Sequence, residues 1–153
     1  MDLNPDFLDM VAALGEERAE FLVVGAFAMA AHGVPRATGD LDLWVRPHPD
    51  NAQRVWRALL RFGAPIETAG LTVQDLANPG IVYQIGQPPR RIDVMTGIDG
   101  ISFDEAWPNR VVITAGGLGF PCLGRGDLIR NKAASGREKD QADLELLRKA
   151  EPS

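Results

Sequence analysis

The sequence predicts an α/β fold, a mixed β-sheet with helices packed on it and a short helical pair at the C-terminus. Three observations carry this expectation. Apolar and alternating runs of strand length recur between amphipathic stretches of helix length. No Pro/Ser-rich linker, internal repeat or low-complexity tract divides the 153 residues. The composition, 45% hydrophobic and 24% charged, suits one compact core. Residues 1–153 therefore read as a single domain, with its core over about 21–123 and its closing helices over about 125–149.

Each element has its own signal. Residues 5–18 carry Phe7, Leu8, Val11, Ala12 and Leu14 at helical spacing, with Gly15 near the end. Phe21 to Val24 is a short continuous apolar run, the mark of a buried strand, and Gly25 breaks it. Ala26 to Ala31 reads as a helix of small residues closed by His32 and Gly33, and Val34 to Gly39 as a loop. Leu41, Leu43 and Val45 then alternate with Asp40, Asp42 and Trp44, which is the period of a strand with one apolar face. Pro47, His48 and Pro49 end that strand, and Asp50 is placed to cap a helix over about 51–62 that Gly63 stops. Residues 64–80 show little pattern. Ile81 to Gly86 and Arg91 to Met95 read as a hairpin joined through Gln87 to Arg90. Val111 to Ile113 and Gly119 to Leu123 are further strands, and helices follow at about 125–134 and 138–149.

The bulk chemistry excludes some functions. A net charge of −5 gives no global basic field for nucleic acid, so an RNA acceptor would need a local patch. Asp2, Asp6, Asp9, Glu16, Glu17 and Glu20 crowd the N-terminal stretch, whereas 125–149 is mildly basic. Cys122 is the only cysteine, so no intrachain disulfide is expected. The start lacks a basic region followed by an apolar one, and no apolar run approaches the ~20 residues of a membrane span. A cytoplasmic protein without a membrane partner is expected. His32, His48 and Cys122 make no zinc pattern.

The chemistry-bearing stretch is Gly39 to Leu43. Carboxylates at i and i+2 of a strand share one face, about 7 Å apart along the chain. At that separation Asp40 and Asp42 can share a divalent cation or clamp two. Aspartate is disfavoured in strands, and Trp44 lies on the same face, so a plain solvent-facing edge strand is the weaker reading. Asp93, between Ile92 and Val94, is a third carboxylate for a metal or for general base work, its plain alternative being a surface pair with Arg90 or Arg91. The turn at Gly25 and Ala26 offers backbone N–H groups to phosphate. Arg36 and Thr38, in the loop before the acids, are candidates for phosphate or ribose, with loop solvation the alternative. Lys132 is a candidate phosphate contact. Asp140, Asp143, Leu144 and Leu147 follow i, i+3, i+4, i+7 spacing, which puts both acids on the inward stripe of the last helix and demands basic partners, Lys132 or Arg137.

Together, Val23-Val24-Gly25-Ala26, Asp40-Leu41-Asp42-Leu43 and Ile92-Asp93-Val94 resemble the DNA polymerase beta-like nucleotidyltransferase superfamily. The run from His32 through Arg36 and Thr38 to Asp42 is similar to the small prokaryotic branch near the AbiE-type toxin nucleotidyltransferases. So is the tail from Asp127 through Lys132 and Arg137 to Asp140, Asp143 and Leu144. The likeness spans about 21–147. It implies a nucleotidyltransferase-type mixed sheet and Mg²⁺-dependent transfer of a nucleoside monophosphate from an NTP to a hydroxyl, with pyrophosphate released. Asp40, Asp42 and Asp93 would hold metal and carry catalysis. Gly25, Ala26, Arg36, Thr38 and Lys132 would meet the nucleotide. The acceptor would be tRNA, a protein or a small molecule. Ala26 departs from the Gly or Ser usual there, which favours the alternative of a weak or inactive nucleotide-binding domain, or of a toxin–antitoxin-type domain with an antitoxin partner.

Overall fold

The computed structural model describes residues 3–150, so Asp2 of the acidic N-terminal group lies outside the described residues. Six strands, β1 (Phe21–Val24), β2 (Asp40–Val45), β3 (Val82–Ile85), β4 (Arg91–Met95), β5 (Val111–Ala115) and β6 (Leu118–Cys122), form one sheet in the order β3-β4-β2-β1-β6-β5. The sheet is mixed: β1 pairs with β6 and β2 with β4 in parallel, and the remaining three pairings are antiparallel. Among the described residues seven α-helices accompany it: α1 (Pro5–Glu16), α2 (Gly25–Ala31), α3 (Pro49–Phe62), α4 (Val73–Ala77), α5 (Phe103–Ala106), α6 (Arg125–Ser135) and α7 (Glu138–Lys149). The expected α/β class with a C-terminal helical pair is what the chain forms.

The boundaries follow from local chemistry. Asn4 caps α1 by accepting from the Phe7 N–H at 3.0 Å, and Pro5 occupies the first turn, where a missing N–H costs nothing. The helix ends at Glu16, two residues before the expected limit, because Arg18 adopts φ 58°, a left-handed conformation that no helix continues through. α3 starts at Pro49 rather than 51, and its cap is His48, whose ring accepts from the Asp50 N–H; Asp50 lies inside the first turn instead. Gly63 does end α3, at φ 89°. Within the poorly patterned 64–80 stretch, α4 is held by a reciprocal capping box between Thr72 and Asp75. Ser102 and Glu105 make the same box at α5.

The central strands have two different faces. Leu41 and Leu43 on β2, Ile92 and Val94 on β4, and Tyr83 and Ile85 on β3 are all buried on one face. Asp40, Asp42 and Trp44, with Arg91, Asp93 and Met95 beside them, occupy the other. Trp44 is fully covered there, edge-on to Phe103 of α5 with ring centroids 5.0 Å apart. The Trp44 end of this face is therefore closed, and the Asp40 end remains open.

The C-terminal pair packs as its periodicity requires. Leu144 and Leu147 of α7 are buried with Leu128 of α6, and Asp140 and Asp143 are buried on the same stripe. Arg125 of α6 donates to the Leu147 carbonyl at 2.8 Å, tying the two helices together near the end of α7. Leu147→Ala should therefore destabilise the protein by about 2–5 kcal/mol in urea unfolding, the range for a buried leucine. A change below about 0.5 kcal/mol would mean that α7 is not part of the cooperative core.

Candidate active site

Three carboxylates meet on the open face. In the parallel pairing of β2 with β4, Asp42 lies directly opposite Asp93, and Asp40 opposite Arg91. One oxygen from each of Asp40, Asp42 and Asp93 falls within 4.8 Å of the others, a grouping that can hold a metal ion. Asp93 is 7% exposed, and its Oδ1 is buried without a hydrogen-bond donor. Arg91 Nε stands 3.1 Å from that oxygen, close enough to pair as charges, but misaligned for a hydrogen bond. The Arg91 Nη2 group donates to Asp40 Oδ2 at 2.8 Å and to Asp93 Oδ2 at 3.3 Å. Thr38 donates its hydroxyl to Asp40 Oδ1 at 3.0 Å.

Three carboxylates thus face one guanidinium. Among the described residues Asp42 has no salt-bridge partner, and its pKa is raised to about 7, by burial first and then by the charges of Asp40 and Asp93. All the donors are hard oxygens, the set suited to Mg²⁺ or Mn²⁺ rather than to a thiophilic metal. The buried, donorless oxygen of Asp93 and the excess negative charge fit a divalent cation.

Gly25 is fixed by the same acids. At φ 68° it takes a conformation that few side chains tolerate, and a Cβ placed on it would lie 2.0 Å from Asp42 Oδ2. The turn between β1 and α2 is therefore pressed onto the carboxylate, and Gly25 and Ala26 line the same cleft as the acids.

The cleft, about 450 Å³, has a second wall of mixed charge from the loop before β2 and from α6 and α7. Lys132 is buried and bridges Asp140 at 2.9 Å and Asp143 at 3.1 Å. Arg36 reaches Asp143 at 2.6 Å, and Arg137 reaches Asp140 at 2.8 Å. Ser135 donates to Asp140 Oδ2 at 2.6 Å. Burial alone would raise the Asp140 pKa, but the hydrogen bonds from Ser135, Lys132 and Arg137 outweigh it and hold it at about 2. The partners expected for the two buried acids are present.

The residues expected to hold metal, carry catalysis or meet the nucleotide, Asp40, Asp42, Asp93, Gly25, Ala26, Arg36, Thr38 and Lys132, all line this one cleft. Two of them are engaged in ways the sequence did not show: Thr38 orients Asp40, and Arg36 joins the loop to α7. Lys132 pairs with the two α7 acids, as their helical spacing requires. Sequence reasoning treated Arg91 only as a surface partner of Asp93; strand parity, two residues before Asp93, was the signal that it shares the acidic face. Ser135, which carries no signal in the sequence, donates its hydroxyl to Asp140.

The Asp42 shift has a definite sign. The folded protein holds this proton up to about pH 7, whereas an ordinary aspartate releases it near 3.8. Stability therefore falls as pH rises through that window, and the full cost is present above it. In EDTA, Asp42→Asn should melt at nearly the wild-type temperature at pH 4, and at least about 4 °C higher at pH 8. Equal melting temperatures at both pH values would show that Asp42 carries no such burden.

No family model matches the chain, and no curated protein matches it in sequence. Solved structures do. A candidate nucleotidyltransferase from Thermotoga maritima superposes with a TM-score of 0.57 at 16% identity, over 96% of this chain and 93% of that one. The lincosamide antibiotic adenylyltransferase LnuA, with lincomycin bound, superposes with a TM-score of 0.54 at 10% identity, over 97% and 98%. The likeness covers nearly the whole of each chain, and the mixed sheet with its packed helices is the fold of these nucleotidyltransferase structures.

Proposed function

We propose that this protein is a Mg²⁺-dependent nucleotidyltransferase that moves a nucleoside monophosphate from an NTP to a hydroxyl acceptor and releases pyrophosphate. The observation that carries this reading is the convergence of Asp40, Asp42 and Asp93 in strand register, with one buried carboxylate oxygen left without a donor. The fold shared with LnuA and the Thermotoga protein supports it.

In this reading Asp42 and Asp93, with Asp40, hold Mg²⁺, which when bound neutralises charge on the triphosphate. Gly25 and Ala26 present backbone N–H groups to the phosphates, and Arg36 and Lys132 add positive charge along the opposite wall. Asp93 takes the proton of the acceptor hydroxyl. The acceptor oxygen then bonds to the α-phosphorus, the bond from that phosphorus to the bridging oxygen breaks, and pyrophosphate leaves. Catalysis rests on positioning and on fixed charge, with no covalent intermediate on the protein. LnuA is named for a lincosamide, and together with the net charge of −5 this favours a small hydroxylated acceptor over tRNA or a protein. We place the reaction in the cytoplasm, where NTP is available; no described helix is long and apolar enough to cross a membrane.

A second reading has its own support. Ala26 brings no hydroxyl to the phosphates, and both Lys132 and Arg36 are already committed to acids. A weak nucleotide-binding domain, or a toxin–antitoxin-type domain with an antitoxin partner, would follow. Calorimetry and pyrophosphate release separate these readings. Asp42→Asn should weaken Mg²⁺–NTP binding itself, whereas Asp93→Asn should keep much of that binding and lose at least about 10²-fold in transfer. Nucleotide binding by the wild type without any pyrophosphate release would favour the second reading.

A further inference from the structure

We infer that Arg91 is the built-in counter-cation of the acidic cluster, limiting the site to one divalent cation before nucleotide arrives and holding Asp40 and Asp93 in place for it. This rests on the metal reading above and adds a residue to it.

The placement is specific. Arg91 is in β4, two residues before Asp93 and directly opposite Asp40 of β2, so its side chain leaves the sheet on the acidic face. It spans both carboxylates, with Nη2 on Asp40 and on Asp93 and with Nε beside Asp93 Oδ1. A guanidinium suits this role because its planar fork keeps its charge at any working pH and engages two acceptors at once. Lysine would supply a point charge without the fork.

Charge then sets the stoichiometry. With all three carboxylates ionised, as cation binding requires, one guanidinium leaves two negative charges uncompensated, which is the charge of one divalent cation. A second cation would face a neutral cluster with a fixed positive charge beside it. It becomes favourable only when a triphosphate brings its own negative charge. The free atoms agree with this. Arg91 occupies Asp40 Oδ2 and Asp93 Oδ2 with hydrogen bonds; Asp93 Oδ1, which Nε approaches at 3.1 Å without a hydrogen bond, and the Asp42 carboxylate keep lone pairs for the metal.

Removing the guanidinium charge should therefore strengthen metal binding. A merely structural arginine would do the opposite, because losing it would loosen the carboxylates. The test is Mn²⁺ binding to the nucleotide-free, EDTA-stripped chain by titration calorimetry, with free Mn²⁺ read by electron paramagnetic resonance. The wild type should take one Mn²⁺ per chain. Arg91→Gln should bind Mn²⁺ at least about tenfold more tightly. Arg91→Lys, which keeps the charge, should stay within about threefold of the wild type, and it carries the test if Arg91→Gln does not fold. Two Mn²⁺ per wild-type chain, unchanged or weaker binding in Arg91→Gln, or tenfold tighter binding in Arg91→Lys would overturn this inference and leave the metal site standing. No Mn²⁺ uptake by the wild type would remove the metal reading itself, and this inference with it.

Discussion

Asp42 and Asp93 stand side by side across a parallel strand pair, and the rest of the site is arranged around that repulsion. Two carboxylates in direct register are unfavourable unless charge is supplied between them or a proton is retained. The fold supplies one guanidinium, from Arg91, and places it on Asp40 and Asp93. Asp42 is left with the residual charge, buried and pressed against the Gly25 turn. A site built this way is costly to the metal-free protein, and a bound divalent cation would relieve it.

The opposite wall solves a related problem by different means. Asp140 and Asp143 are buried on the inward stripe of α7, and they are balanced inside the protein by Lys132, Arg36 and Arg137. Breaking one partner of such a network leaves an uncompensated buried charge. The network joins α6, α7 and the loop before β2, the same loop from which Thr38 reaches Asp40. Helix packing at the C-terminus and the orientation of the first acidic residue are thus mechanically linked. The two acidic groups in the cleft differ in one respect: the α7 pair is saturated by the protein's own cations, and the strand trio is not.

Much of this was legible in the sequence because it depends on periodicity. Alternation put Asp40, Asp42 and Trp44 on one face of β2, and the helical spacing of Asp140, Asp143, Leu144 and Leu147 required buried acids with basic partners. The apolar run of β1 and the break at Gly25 were equally plain. What escaped had other causes. The short helices α4 and α5 are set by capping boxes rather than by an apolar stripe, and each is too brief to show a period. The start of α3 depends on a histidine ring accepting a backbone hydrogen bond, which composition does not reveal. The engagement of Thr38, Arg36 and Arg91 depends on which strands are neighbours. The pairing of β2 with β4, rather than with the next strand in sequence, is a property of topology.

On the proposed reading the strand trio takes a divalent cation and the α7 pair does not. A crystal of the protein soaked with Mn²⁺ and a non-hydrolysable NTP, with data collected at the manganese absorption edge, tests it most directly. The account expects an anomalous peak in contact with Asp42 and Asp93 oxygens at about 2.1 Å, the distance for a small hard cation on oxygen. No peak should lie at Asp140 or Asp143. An anomalous map with nothing between Asp42 and Asp93, or with manganese on the α7 acids instead, would contradict it.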